Sequence, residues 1–192
     1  MAAVLPQKHS ITVNEWQKMV AANVFSPKNR IELMNGEILE MPPIGFNHAG
    51  HVKRLTRLFA PLVMEKAIIS VQDPLQLGDL SEPQPDFMLL RPDADFYTTR
   101  HPQAEDVLLL VEVAESSLNY GRERKQRFYA MFGIPEYWLI NLNNESLEVY
   151  RQPLAESYAE KSTLYYGETL ILSQLDDIAV NTANILSQQP TF

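Results

Sequence analysis

Two carboxylates and one lysine stand where chemistry is the economical explanation. Glu112 lies in the run VLLLVEV (107–113), behind five consecutive aliphatic residues from Val107 to Val111. Such a run suits a strand covered on both faces, because a half-exposed strand alternates apolar with polar residues. A carboxylate held out of water is costly unless it is paired, protonated or bound to a cation. Asp86, in EPQPDFMLL (82–90), starts the preceding apolar strand, and Glu112 shares a face with Leu108 and Leu110 near the end of its own. If these strands pair antiparallel, the start of one faces the end of the other and the two acids meet. Close carboxylates repel unless they share a proton or a divalent cation, so an oxygen-ligand site for Mg²⁺ or Mn²⁺ formed by Asp86 and Glu112 is expected.

Lys125 is the third group. Lys125, Phe128, Tyr129 and Phe132 recur at helical spacing and share one inward face, while Arg124 and Arg127 point outward. An ammonium turned toward two acids and a metal can hold an attacking water or stabilise a pentavalent phosphate. The plainer alternative is a structural ion pair between Lys125 and Glu112.

Bulk composition narrows the chemistry further. The 192 residues fit one domain, 1–192, with about nine N-terminal and six C-terminal residues expected to be flexible. With no cysteine there is no disulfide, thiolate nucleophile or cysteine-bound zinc. The sequence shows no leader-like segment and no window near ~18 apolar residues, so a cytoplasmic protein without a membrane partner is expected. A formal charge of −8 argues against coating nucleic acid by charge alone. It leaves room for local basic surface, for which Lys53, Arg54 and Arg57 form one cluster and Arg122, Arg124, Lys125 and Arg127 another.

The elements that must carry these residues follow from capping, turn and periodicity signals. TVNE (12–15) has capping-box spacing and opens a helix to about Asn23, with Trp16, Met19 and Val20 on one side. Asn35-Gly36 marks a hairpin of strands 31–34 and 37–41. Val52, Leu55, Phe59 and Leu62 place a helix over 47–66, with a kink or break at Pro61. Extended segments are expected at 67–77, 86–90 and 107–113, and a long Pro- and Asp-rich connection at 91–106 reads as a functional lid or mobile loop. A second helix over about 118–132 ends at Gly133-Ile134-Pro135, and strands 136–142 and 146–151 form another hairpin. The expected class is α/β, a mixed β-sheet flanked by helices, with an added N-terminal helix and hairpin.

The run from SEPQPDFMLL through EVAESSLNYGRERKQRFYAMFGIPEYWLINL, with RIELMNGEILEMPPIGFNH upstream, resembles the Uma-two family of putative restriction endonucleases, a branch of the PD-(D/E)XK nuclease superfamily. The resemblance implies a restriction-endonuclease-like core, DNA as substrate, a divalent metal and a homodimer. It also implies site roles for Glu32 and His48 beside Asp86, Glu112 and Lys125. Glu32 between Ile31 and Leu33 also fits ordinary strand alternation, and a lone histidine such as His48 is commonly a hydrogen-bonded helix-start residue. In the superfamily the lysine usually follows the glutamate by two residues, where this chain has Ala114; the branch it resembles carries the lysine on the next helix, which suits Lys125. Related sequences commonly have aspartate where Gly121 stands and aspartate near Asn141. Gln72 is either a site residue or an edge glutamine. The reading is a Mg²⁺-dependent endonuclease cutting DNA phosphodiester bonds; the alternative is a catalytically weakened relative that binds nucleic acid or protein. A carboxylate-pair glycosidase is disfavoured by Lys125.

Overall fold

The computed structural model describes residues 7–26, 28–115 and 120–188. Helix α1 (Val13–Ala21) begins at the Thr12 cap, whose side chain accepts from the Glu15 N–H while Glu15 reaches back to the Thr12 backbone. Its buried face is Val13 and Trp16; Val20, expected on that face, is exposed, because the helix packs only its N-terminal half. Strands β1 (Ile31–Met34) and β2 (Glu37–Glu40) pair antiparallel across Asn35 and Gly36, whose φ values of +50° and +74° suit the tight turn that this dipeptide signals.

Helix α2 (Phe46–Val63) carries Pro61 in its last turn and stops two residues later. The sheet that follows has six strands: β3 (Ile68–Ser70), β4 (Phe87–Leu90), β5 (Val107–Ala114), β6 (Glu136–Asn141), β7 (Ser146–Pro153) and β8 (Tyr158–Leu164), in that spatial order. Every neighbouring pair is antiparallel except β5 and β6. The parallel step needs a crossover, which includes a π-helical turn over Tyr120–Lys125 and helix α3 (Gln126–Met131). The expected helix start at Leu118 lies outside the described residues, and the expected regular helix is replaced by the wider turn from Tyr120. Gly133, at φ +73°, ends α3 as its position after the helical pattern predicts.

The helices cover opposite faces of the sheet. On one face Val52, Leu55, Phe59 and Val63 of α2 pack on Phe87, Leu89, Val111 and Trp138, with the short hairpin β9 (Thr169–Ile171) and β10 (Ala179–Asn181) adding Leu170 and Val180. On the other, Phe128 and Tyr129 of α3 pack on Met88, Leu110, Tyr137 and Leu139. Each fully buried large side chain contributes about 1.5–3 kcal/mol, so both layers are strongly anchored at the strands bearing Asp86 and Glu112.

Three expectations are revised. Regular pairing of the segment 67–77 ends at Ser70; beyond it the segment keeps a bridge at Gln76 and single backbone hydrogen bonds from Gln72 to Pro85 and from Leu75 to Pro83. The face shared by Leu108 and Glu112 is not observed: Leu89 pairs with Leu109 but Leu90 with Val107, so Leu108 is an extra residue that joins the α2 side. The connection 91–106 joins the far ends of β4 and β5, away from Asp86 and Glu112, and is pinned by Arg100 donating to Asp106 at 2.5 and 3.1 Å and by Tyr97 donating to the Arg91 carbonyl at 2.9 Å. It is a built loop at the opposite end of these strands, without the reach of a lid.

Candidate active site

Asp86 immediately precedes β4, and the pairing of Phe87 with Val111 carries it opposite Glu112 on β5. Three donors hold its carboxylate: His48 Nε2 at 2.9 Å and the Val113 N–H at 2.9 Å on Oδ2, and Gln72 Nε2 at 3.2 Å on Oδ1. Each comes from a different element. His48 lies in the first turn of α2, Val113 on β5, and Gln72 takes a left-handed φ of +56° just after β3. Gln72 is therefore an inner contact of Asp86 and no edge residue.

Glu112 is held from the opposite face by the crossover. Its Oε1 accepts from Lys125 Nζ at 2.7 Å and from the Tyr129 hydroxyl at 2.6 Å. Among the described residues its Oε2 takes no hydrogen bond. Lys125 also lies 3.6 Å from Glu32 Oε2, an oxygen with no hydrogen-bond partner. One cleft is lined by Glu32, His48, Asp86, Glu112, Ala114 and Lys125, so the five residues expected at a site surround a common space. Lys125 is only 4% exposed, buried rather than displayed to solvent. His51 turns away: its Nδ1 meets the Asn47 carbonyl at 3.0 Å and its Nε2 lies 3.5 Å from Glu145.

The electrostatics are lopsided. Burial pushes the Asp86 pKa up, but the His48 hydrogen bond and charge, the Val113 N–H and the Lys125 charge outweigh it and leave Asp86 below the ordinary aspartate value. Glu112 goes the other way: burial is the largest cause, Lys125 opposes it, Asp86 and Glu32 add to it, and the pKa is pushed up to about 7. Burial alone would lower the pKa of Lys125, yet the charges of Glu112, Glu32 and Asp86 raise it, so the ammonium is protonated at neutral pH. Three buried carboxyl groups thus share one buried ammonium, a setting in which an added cation relieves repulsion.

Among the described residues, no three His, Asp or Glu side chains converge as a closed cation cage would require. Mg²⁺ keeps several waters and is bound through one or two carboxylates, so an open edge formed by Asp86 and the free Oε2 of Glu112 fits it. Glu32, whose Oε2 takes no hydrogen bond among the described residues, lines the same cleft.

Tyr129 is a site contact that the sequence does not announce: helical spacing puts it on the inward face with the core, whereas its hydroxyl holds Glu112. Its one signal is that Tyr129 follows Lys125 by one helical turn on the same face. Gly121, also at the cleft, sits where a Cβ would come within 2.9 Å of Leu139 Cδ1.

No helix among the described residues is long and apolar enough to cross a membrane. No curated protein matches the chain. Among solved structures, the chain is similar to a putative nuclease of the DUF820 family from Anabaena variabilis, with a TM-score of 0.71 at 15% identity over 91% of this chain and 97% of that one. At that identity the likeness shows the shared fold. The Uma2 family, described as putative restriction endonuclease, matches residues 14–183. Its match spans β1, α2, the sheet and the crossover that bring Glu32, His48, Asp86, Glu112 and Lys125 to one cleft, and the chain belongs to the Uma2 family.

Proposed function

We propose that the protein is a divalent-metal-dependent endonuclease that hydrolyses DNA phosphodiester bonds in the Asp86–Glu112 cleft. The observation that carries this reading is the division of labour on Glu112: Lys125 and Tyr129 occupy Oε1, leaving Oε2 without a hydrogen bond among the described residues, in the cleft that Asp86 also lines. Asp86 and Glu112 would hold Mg²⁺ or Mn²⁺, which when bound supplies a Lewis acid and lowers the pKa of a coordinated water.

The chain's own groups have distinct tasks. His48, Gln72 and the Val113 N–H fix the Asp86 carboxylate, and Tyr129 fixes Glu112, so neither acid must reorganise as substrate arrives. Lys125, held protonated, cannot serve as a base at neutral pH; it orients the attacking water and stabilises charge growing on the phosphate. Burial of the lysine strengthens that interaction, since a charge in a poorly solvated cleft is weakly screened.

The test compares wild type, Lys125→Ala and Glu112→Ala on single-stranded, linear duplex and supercoiled DNA with Mg²⁺ and Mn²⁺. Lys125→Ala should lower turnover about 10²–10³-fold while keeping metal-induced thermal stabilisation, and Glu112→Ala should lose both. Absence of cleavage by wild type on every form, or equal cleavage by all three proteins, would replace catalysis with the binding-module reading. A homodimer is part of the same proposal, carried by family resemblance.

A further inference from the structure

The buried side of α2 is spoken for by Val52, Leu55, Phe59 and Val63, but its outer side bears a second pattern. Phe46, Gly50, Lys53 and Arg57 recur at intervals of four, three and four residues, which places them on one stripe. Phe46 is 95% exposed although it is the most apolar residue of the stripe. A Cβ built on Gly50 would meet nothing within 4 Å, so the middle of the stripe is open to close approach. Lys53 and Arg57 are exposed, and neither is ion-paired among the described residues. From Phe46 to Met64 the chain has three cations, Lys53, Arg54 and Arg57, and no acid, in a protein whose net charge is −8.

The cationic end of this stripe borders a groove that adjoins the cleft. Ile44, Gly45 and His48 line the cleft, and Ile44 also borders a groove lined by Ala49, Lys53, Arg57 and Gln72, the last of which touches Asp86. Arg57 in turn borders a further groove with Arg54 and the exposed Tyr166. The two grooves thus carry Lys53, Arg57 and Arg54 away from the cleft, and the exposed Phe46 directly follows the cleft residue Gly45 in sequence. Lys53 and Arg57 are separated by about 6 Å along the helix axis, under two of the 3.4 Å steps of a nucleic-acid strand, roughly.

We propose that the Phe46–Gly50–Lys53–Arg57 stripe carries a single DNA strand out of the Asp86–Glu112 cleft, with Lys53 and Arg57 on phosphates and Phe46 stacked on an unpaired base at the mouth. The assignment rests on the nuclease reading of that cleft and adds a preference for single-stranded or locally unpaired DNA. A solvent-exposed ring is suited to that task because every base presents a π-face, whereas phosphate contacts by lysine and arginine are sequence-independent.

The experiment measures binding separately from cleavage. Full-length protein is titrated, without divalent cations, into fluorescent single-stranded and duplex oligonucleotides of the same sequence, some containing 2-aminopurine; thermal melting checks that each variant is folded. Wild type should prefer the single strand. Lys53→Glu with Arg57→Glu should weaken it about ten-fold or more for any sequence and reduce the slope of log K against log salt by about 1.4. Phe46→Ala should weaken binding roughly ten-fold and abolish quenching of 2-aminopurine, and Phe46→Trp should retain both. Lys18→Glu, which reverses an exposed charge on α1 outside both basic clusters and the cleft, should leave the single-strand affinity near that of wild type. Equal losses from Lys18→Glu and the α2 pair, a silent Phe46→Ala, a preference for duplex, or no single-strand binding at low salt would each overturn the proposal. Cleavage is scored in a separate metal-containing assay, so an intact nuclease with a silent stripe and a strand-binding protein that cuts nothing give different results.

Discussion

Raising the pH from 5 to 8 without divalent cations should destabilise the protein through Glu112. Burial, opposed by Lys125 and reinforced by Asp86 and Glu32, moves its pKa from an ordinary 4.5 to about 7. The folded state then binds the proton more tightly than the unfolded chain. Stability contributed by this group is complete below the unfolded value of 4.5 and is lost as the pH rises through the folded value of about 7. At ~1.4 kcal/mol per pK unit the full effect is about 3 kcal/mol, most of it between pH 5 and 8, which corresponds to roughly 6–12 °C in Tm at this chain length. Asp86, Asp106 and Glu148 have lowered pKa values, so their stabilisation has the opposite sign and is lost only in more acid solution, as the pH falls through their folded values. Glu112→Gln keeps an oxygen for Lys125 and Tyr129 but cannot titrate. Urea unfolding followed by tryptophan fluorescence at pH 5, 6, 7 and 8 in the presence of a chelator should show a loss in wild type that the variant lacks. Parallel pH profiles for the two proteins would refute the buried, acid-crowded setting assigned to Glu112.

Other outcomes follow from the same contacts. Lys125→Met leaves Glu112 and Glu32 buried without their shared ammonium and should cost about 3–5 kcal/mol at pH 8, shrinking toward pH 5 as Glu112 protonates; a loss independent of pH in urea titrations would count against it. Asp86→Asn should remove most of the rise in Tm produced by Mg²⁺ or Mn²⁺, and an equal rise in both proteins would indicate nonspecific ion effects. Gly121→Ala pushes a Cβ against Leu139 Cδ1 and should lower stability by about 1–3 kcal/mol. A double-mutant cycle with Leu139→Val should show coupling, whereas strict additivity would deny the clash.

Where one physical signal dominated, the sequence could be read closely. The Thr12 capping box, the Asn35-Gly36 turn, the stop at Gly133 and the apolar run of β5 are local patterns, and each appears at the expected place. The Asp86, Glu112 and Lys125 constellation followed from the cost of burying charge plus the helical phase of Lys125, although the element presenting the lysine is a π-helical turn. Tertiary pairing concealed the rest. β8 is an edge strand whose sequence, YAEKSTL, is mostly exposed and polar, and β9 and β10 are three residues each, too short to show a period. The bulge at Leu108 cannot be read from a run of identical aliphatic character, because nothing in LLL says which leucine is the extra one. The contacts of Gln72 and Tyr129 with the acids depend on side-chain direction, which spacing narrows but does not determine.

The loop at 91–106 offers a way to make the cleft conditional. Its exposed tip lies between Glu32, His48 and Asp86 on one side of the chain and Glu112, Lys125 and Tyr129 on the other. A break between Ala94 and Phe96 would therefore divide the molecule into two pieces, neither of which owns a complete set of groups. Reunion would have to restore the antiparallel match of Phe87 with Val111, the same register that sets Asp86 against Glu112. Fused to two binding partners, such halves would form a split reporter whose readout is coincidence: the acids come together only when the partners do.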